Sequence, residues 1–187
     1  MINRRTADQL VATAAEAISA RPDSFHEVLE DIPAAIYVTD AEGTLTWYNQ
    51  ACVALAGRTP TIGADKWCVT WKLFTADGTP LPHECCPMAE ALRSRAPVRD
   101  VEAVAERPDG SRVRVAPFPT PLFDSAGNLA GAVNLVLDLT RQRTPAYLLD
   151  QAARCRRLAG EIDDREATEA LALIAARYEA QARKLNN

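Results

Sequence analysis

The sequence predicts an α+β protein: a five-stranded antiparallel sheet with flanking helices, extended by an N-terminal helix and a C-terminal helical hairpin. Nine of the 12 prolines lie between Pro60 and Pro121, so the middle of the chain favours strands and loops and the ends favour helices. The hydrophobic pattern changes from helical spacing to strict alternation near Ala34 and returns to helical spacing after Thr140. Turn sequences rich in Asp and Gly separate the alternating segments.

Length and composition limit the classes of function. With 187 residues and 48% hydrophobic side chains, the chain can form one domain of ordinary size with short appendages. A net charge of -4 argues against a nucleic-acid partner, because no broad basic surface can form. No apolar run approaches the ~20 residues that span a bilayer, and no apolar segment follows the polar start, so we expect a cytoplasmic protein without a membrane partner.

The N-terminal segment has the pattern of an amphipathic helix. Thr6 can cap a helix that ends before Pro22, and its apolar stripe consists of Leu10, Ala14 and Ile18. This stripe has no evident partner in the domain, and an isolated helix of this length is marginal in water. We therefore predict a homodimer formed through the helix Thr6–Ala20. A second, short helix is predicted from the capping box Ser24–Glu27 to Pro33.

Five segments have the alternating pattern of strands. They are Ala35–Thr39, Thr44–Tyr48, Arg99–Arg107, Ser111–Pro117 and Ala130–Thr140. The connections Asp40–Gly43, Pro108–Gly110 and Asp124–Asn128 carry turn residues. This order describes an antiparallel sheet with two strands before the central helices and three after them.

Two helices are predicted between the second and third strands. Asn49 is placed to cap the helix Gln50–Ala56 with its side-chain oxygen, and Gly57 can end that helix in a left-handed conformation. Residues 58–98 are otherwise irregular and lead into a helix over Met88–Arg95.

The span from about Phe25 to Thr140 resembles a PAS domain. The motifs that carry the resemblance are Ile36–Asp40, Gly43, Trp47–Asn49, Gly57, Arg107–Gly110, Gly127–Val133 and Leu137–Thr140. Within them, Asp40, Gly43, Asn49 and Gly57 are the expected structural positions. The resemblance implies a sensor, a dimerisation module or a ligand cup, and the middle segment looks like a subfamily found in bacterial sensor proteins. It also implies three parts: an N-terminal helix over 1–22, a PAS domain over 23–141 and a helical hairpin over 142–187.

The C-terminal part has the pattern of two short helices that form an antiparallel hairpin. The first begins at Pro145 and ends at Gly160, and a capping box at Asp163–Glu166 opens the second. The apolar stripe of the second helix is Ala167, Leu171, Ile174, Tyr178 and Leu185. No histidine follows His83, so the hairpin lacks the phosphoacceptor that a histidine kinase needs. We expect a bacterial regulatory protein that is not an enzyme and that passes a signal to a protein partner through its helical ends.

Five residues are candidates for the lining of the cup. They are Trp47, Trp67, Trp71, Val115 and Leu135. The three indole rings can stack on a planar small molecule, or they can fill the space as ordinary core residues. The sequence leaves both alternatives open.

The segment Pro82–Pro87 is the most unusual stretch of the chain, because it places His83, Cys85 and Cys86 within four residues. Imidazole and thiols can hold zinc or haem iron, and adjacent thiols can serve as a redox sensor. The alternative is a plain turn into a helix with Pro87 at its first position and the cysteines packed as small apolar residues. Flavin-adduct photosensors of the PAS family carry the stretch Asn-Cys-Arg-Phe-Leu-Gln, which is missing here. The resemblance therefore argues against flavin and leaves haem as a candidate cofactor.

Overall fold

The computed structural model of the chain describes residues 4–20, 29–30, 32, 34–140, 145–161 and 165–185. Its contacts divide into two compact units, Met1–Asp138 and Leu139–Asn187. The predicted capping box Ser24–Glu27 lies outside the described residues. The helices are α1 (Arg4–Ala20), α2 (Gln50–Ala56), α3 (Pro87–Ser94), α4 (Pro145–Glu161) and α5 (Arg165–Leu185), with a short 3₁₀ helix at His83–Cys85. The strands are β1 (Ala35–Asp40), β2 (Leu45–Tyr48), β3 (Lys72–Thr75), β4 (Pro80–Leu81), β5 (Ala103–Glu106), β6 (Arg112–Phe123) and β7 (Leu129–Asp138).

The first unit is built on one antiparallel sheet of seven strands in the order β2-β1-β7-β6-β5-β3-β4. The predicted class, an antiparallel sheet with flanking helices, is confirmed. The two strands beyond the predicted five, β3 and β4, lie in the segment that was expected to be irregular. They have four residues and two residues, which is too short for an alternating pattern to stand out, and β3 exists because it pairs with β5.

The turn between β1 and β2 is held by its acidic residue. The carboxylate of Asp40 accepts the backbone N–H of Thr44 at 2.7 Å. Gly43 adopts φ +82°, and a Cβ there would lie 2.3 Å from the Trp67 ring. The turn therefore needs glycine for its backbone conformation and for the close approach of the indole.

Asn49 does not cap α2 with its side chain as predicted. Its Oδ1 accepts the backbone N–H of Ile36 at 3.1 Å, and its Nδ2 donates to the carbonyl of Ala34 at 2.9 Å. The side chain is fully buried, so these long-range bonds satisfy an amide that would otherwise be costly in the core. Asn49 fixes the entry into β1 instead of the start of α2.

Gly57 ends α2 in the left-handed conformation, with φ 65°, and its N–H donates to the carbonyl of Val53. Arg107, at the end of β5, reaches the same helix end, where its Nε donates to the carbonyl of Leu55 at 2.9 Å. A Cβ on Gly57 would meet the Arg107 side chain at 2.7 Å. The β5–β6 turn is thus tied to the C-terminus of α2.

Helix α1 packs on β6 and β7 of its own sheet. Of its described side chains, those of Ala7, Val11, Ala14 and Ile18 are buried. Arg4 pairs with Glu102, and Asp8 pairs with Arg99, so ionic contacts accompany the apolar ones. The premise that this stripe lacks an intradomain partner is wrong, because the sheet covers it.

The second unit is a pair of contacting helices, α4 and α5. They have 17 and 21 residues, and α4 ends at Glu161, one residue after the predicted end at Gly160. Among the side chains of α5 that the structure describes, Ala175 and Ala182 are buried, whereas Ile174 of the predicted stripe is 41% exposed. No helix among the described residues is long and apolar enough to cross a membrane.

Candidate functional site

The candidate site is a cavity between the sheet and helix α3. Alternate residues of β1, β6 and β7 point into it, because successive side chains of a strand face opposite sides of the sheet. The residues that matter for its chemistry are Tyr37, Cys68, Cys86, Met88, Val115 and Asn134. The cavity volume is about 30 Å³, which holds about one or two water molecules. The space is therefore far smaller than the 300–1,000 Å³, roughly, of a typical ligand pocket.

A chain of hydrogen bonds crosses the cavity wall. The backbone N–H of Phe118 donates to Oδ1 of Asn134 at 2.9 Å, and Nδ2 of Asn134 donates to the hydroxyl of Tyr37 at 2.9 Å. The Tyr37 hydroxyl in turn donates to the carbonyl of Trp67 at 2.9 Å. Burial raises the pKa of the Tyr37 phenol well above its ordinary value, so the phenol stays protonated and can donate.

Trp67 holds a backbone conformation that few residues other than glycine adopt. Its φ is 58°, its N–H donates to the carbonyl of Gly43 at 2.7 Å, and its own carbonyl accepts from Tyr37. Such a conformation costs on the order of 1–3 kcal/mol and persists only where surrounding contacts impose it. The Tyr37 hydrogen bond is one of these contacts.

Two thiols line the same cavity. Cys68 Sγ lies 3.0 Å from Oγ1 of Thr70, and Cys86 Sγ lies 3.9 Å from the carbonyl oxygen of Trp67. Burial raises the pKa of the Cys68 thiol, and it raises the pKa of Cys86 to about 12. Both sulfurs are therefore protonated thiols near neutral pH.

Comparison with protein families decides the membership of the chain. The family described as PAS fold matches residues 29–144, which is more than half of the 187 residues. The chain belongs to the PAS-fold family. The resemblance found in the sequence is thereby confirmed.

Solved structures of PAS and light-oxygen-voltage proteins are also similar to the chain. A light-oxygen-voltage protein of Rhodobacter sphaeroides is 16% identical, with a TM-score of 0.49, over 94% of this chain and 97% of that chain. A PAS domain of a Colwellia psychrerythraea protein is 18% identical, with a TM-score of 0.43, over 62% of this chain and 93% of that chain. The PAS domain of the fruit-fly ELK potassium channel is 15% identical, with a TM-score of 0.47, over 67% of this chain and 96% of that chain. No curated protein sequence matches the chain significantly.

Of the five residues expected to line the cup of this PAS domain, Val115 lies at the cavity. Leu135 is fully buried, but it lies on the opposite face of β7 from Asn134 and Val136, which line the cavity. Trp47 pairs with Val38 and also lies on that opposite face, because a bulge at Thr46 shifts the register of β2. Alternation alone could not reveal this shift.

The two remaining tryptophans lie away from the cavity interior. Trp67 packs its half-buried ring against Gly43 and contributes its backbone carbonyl to the Tyr37 hydroxyl. Trp71 is 53% exposed and borders an open surface groove together with Phe74 and Leu81. Neither indole lines the cavity.

The segment with His83, Cys85 and Cys86 does not direct its side chains to one point. Cys85 is exposed, whereas Cys86 is 1% exposed and faces the cavity. His83 borders the surface groove beside Trp71, where burial, with the Arg58 guanidinium nearby, lowers its pKa. Among the described residues, no group of three or more His, Cys, Asp or Glu side chains is placed to hold a metal ion. Pro87 is the first residue of α3, as the plain-turn alternative expected.

The residues that the sequence reasoning missed are Tyr37, Cys68, Met88 and Asn134. The sequence pattern places Tyr37 in β1, and the alternation of that strand is the signal that its side chain faces one side of the sheet. Asn134 carried a stronger signal, because it is a lone amide inside the apolar strand Leu129–Asp138. A buried side-chain amide in such a strand needs hydrogen-bond partners, so its presence points to a buried network of polar groups.

Proposed function

We propose that this PAS protein is a sensory and regulatory component of signal transduction, without catalytic activity. In this function, the cavity widens to admit a small molecule, this displaces the wall formed by β6 and β7, and the helical ends carry the change to a partner. The observation that carries the proposal is the position of these two strands. The cavity lies on one face of β6 and β7, and helix α1 packs on them without joining the residues that line the cavity.

A continuous set of contacts links the two faces. Asn134 lies in the cavity wall and accepts the N–H of Phe118. The Arg99 guanidinium lies 5.8 Å from the centre of the Phe118 ring, and Arg99 pairs with Asp8 of α1. A displacement of Asn134 therefore reaches α1 through a backbone hydrogen bond, a cation–π contact and an ion pair.

Hydrogen exchange tests this coupling. We expect Asn134→Ala to increase the exchange rate of the α1 amides about tenfold, because a lost buried hydrogen bond of about 1–1.5 kcal/mol loosens the support of α1. The matched control is Asn128→Ala, which removes an amide from the exposed β6–β7 turn and should leave α1 unchanged. Equal exchange of α1 in the wild type and both variants would contradict the proposal.

Ligand uptake is tested separately with a panel of small metabolites and thermal shift. A compound that stabilises the wild type should lose its effect in Val115→Phe, since the added bulk exceeds the cavity of about 30 Å³. Leu135→Met is the control on the opposite face of the sheet, and it should keep the effect. Retention of the effect in Val115→Phe would place the ligand elsewhere.

We also propose that the protein partner is a second copy of the chain. The α1 stripe is covered by its own sheet, so the hairpin is the more suitable surface: Leu149 of α4 is 49% exposed, and Leu173 of α5 is 67% exposed. Light scattering should show a dimer that Leu173→Gln weakens, whereas Leu10→Gln on α1 should leave it intact. A monomer at every concentration would refute this partner.

A further inference from the structure

Three sulfur side chains border the cavity. Cys68 and Cys86 contribute thiols, and Met88, in the first turn of α3, contributes a thioether. All three are largely buried, with Cys86 and Met88 each 1% exposed. The sequence holds only five cysteines and two methionines, so three of its seven sulfur side chains lie at this one cavity.

Cys68 and Cys86 line the same small cavity. Cys86 Sγ is 3.9 Å from the carbonyl oxygen of Trp67, the residue bonded directly to Cys68. The two residues also interact electrostatically, since Cys68 raises the pKa of Cys86. Met88 follows Cys86 by two residues in the same helix start, so one short stretch brings two sulfurs to the wall beside Cys68.

The ligand chemistry of sulfur selects the ion. Thiolate and thioether groups prefer soft cations such as Cu(I), whereas Mg²⁺ and Ca²⁺ prefer oxygen ligands. Zn²⁺ takes four ligands in structural sites, and the cavity wall offers two thiols. A volume of about 30 Å³ admits one ion held directly by the protein and excludes haem and flavin in the present conformation.

We propose that the cavity binds one soft monovalent cation, Cu(I), through the sulfurs of Cys68 and Cys86, with the Met88 thioether as a third ligand. The inference rests on the proposed function, because it names a ligand for the same cavity. Binding is a proton exchange: two thiols lose two protons to solvent, and two sulfur–copper bonds form. No electron is transferred, and the bound site carries one negative charge.

Burial opposes the loss of the Cys86 proton, and one neighbouring positive charge partly offsets this effect. The Arg93 guanidinium of α3 lowers the pKa of Cys86 and opposes the effect of burial, so it favours the thiolate that the metal needs. Two other titratable groups interact with this pair: Tyr37 of β1 hydrogen-bonds to Cys68, and Cys68 acts on Cys52 of α2. Burial raises the pKa of both, so they stay neutral while the metal displaces protons from Cys68 and Cys86.

The test is an anaerobic competition of the reduced, full-length protein against a chromophoric Cu(I) chelator. We expect one equivalent of Cu(I) to bind. Cys68→Ser and Cys86→Ser should each weaken binding by more than about 100-fold, which exceeds the effect of losing an outer-shell partner. Cys85→Ser is the matched control, because Cys85 is exposed beside Cys86, and it should bind as the wild type does.

Two further measurements keep the test informative if the buried serine variants unfold. Met88→Leu conserves side-chain volume and should weaken Cu(I) binding about tenfold while the thermal unfolding temperature changes little. For the wild type, affinity should rise about 100-fold per pH unit near neutrality, because two protons are released; a single thiol would give about tenfold.

Failure to compete with the chelator would overturn the inference, as would loss of binding in Cys85→Ser or unchanged binding in Cys86→Ser. A pH dependence of the Cu(I) affinity that corresponds to one released proton per ion would also overturn it. None of these outcomes bears on the hydrogen exchange of the α1 amides in Asn134→Ala, because that experiment is done without metal. The inference and the proposed function can therefore fail separately.

Discussion

The hydroxyl of Tyr37 connects two strands, β1 and β7, and the loop that holds Trp67, and its removal is the most direct perturbation of the cavity wall. Tyr37→Phe keeps the ring but leaves Nδ2 of Asn134 without its acceptor and the carbonyl of Trp67 without its phenol donor. Asn134 is 2% exposed and Tyr37 is 1% exposed, so bulk water does not replace these bonds.

The expected loss of stability follows from the two groups that lose a bond: the Asn134 amide, and the Trp67 carbonyl, which keeps the weak Cys86 thiol donor. An unsatisfied buried donor or acceptor costs about 1–3 kcal/mol. The cavity of about 30 Å³ can admit a water that restores part of each bond, so the lower end of the range applies to each group. We expect a total loss of about 2 kcal/mol in the free energy of unfolding.

Urea denaturation measures this loss. With a slope of about 2 kcal/mol per molar, the midpoint should fall by about 1 M. Tyr48→Phe is the matched control, because the half-buried Tyr48 makes no side-chain hydrogen bond to the described part of the chain, and its effect should stay below about 0.5 kcal/mol. Equal midpoints for the two variants would refute the role assigned to the Tyr37 hydroxyl.

Three other perturbations test the frame around the cavity. Asn49→Ala should lower the free energy of unfolding, measured by urea denaturation, by about 2–3 kcal/mol, because its buried amide joins β1 to the preceding segment. An unchanged free energy of unfolding would contradict this role. Gly131→Ala places a Cβ 2.0 Å from the carbonyl oxygen of Thr39 and should strongly lower the free energy of unfolding. Gly127→Ala is the control, because a Cβ there meets open space and adds only backbone strain of about 1–2 kcal/mol. Equal losses of stability in the two variants would contradict the close approach at Gly131. The pKa of His83 is lower in the folded protein than in the unfolded chain. As the pH falls through about 6.5, the unfolded chain therefore binds a proton at His83 that the folded protein does not yet bind, and the free energy of unfolding should decline. His83→Gln should reduce this decline, and identical pH profiles of stability for both proteins would count against the lowered pKa.

Local sequence patterns determined most of the elements of the domain. The alternation around Tyr37, the Asp40–Gly43 turn and the glycine that ends α2 depend on residues near in sequence, so their conformations follow from local sterics and hydrogen bonding. The antiparallel sheet and its flanking helices could be predicted for the same reason.

Tertiary structure alone decided which residues form the cavity. Alternation shows that Asn134 and Leu135 face opposite sides of β7, but both sides are covered, so the pattern cannot say which side holds the cavity. The bulge at Thr46 moves Trp47 to the other face, and a one-residue shift of this kind leaves no clear mark in composition.

The same limit applies to contacts between residues distant in sequence. Asn49 has the position of a helix cap, yet its amide bonds to the backbone around β1, because the packed fold offers buried partners that an isolated helix start does not. Cys68 and Cys86 are 18 positions apart and meet at one cavity only when α3 packs against the sheet. The sequence by itself determined the elements, and packing determined which side chains share a site, since burial and proximity depend on the whole chain.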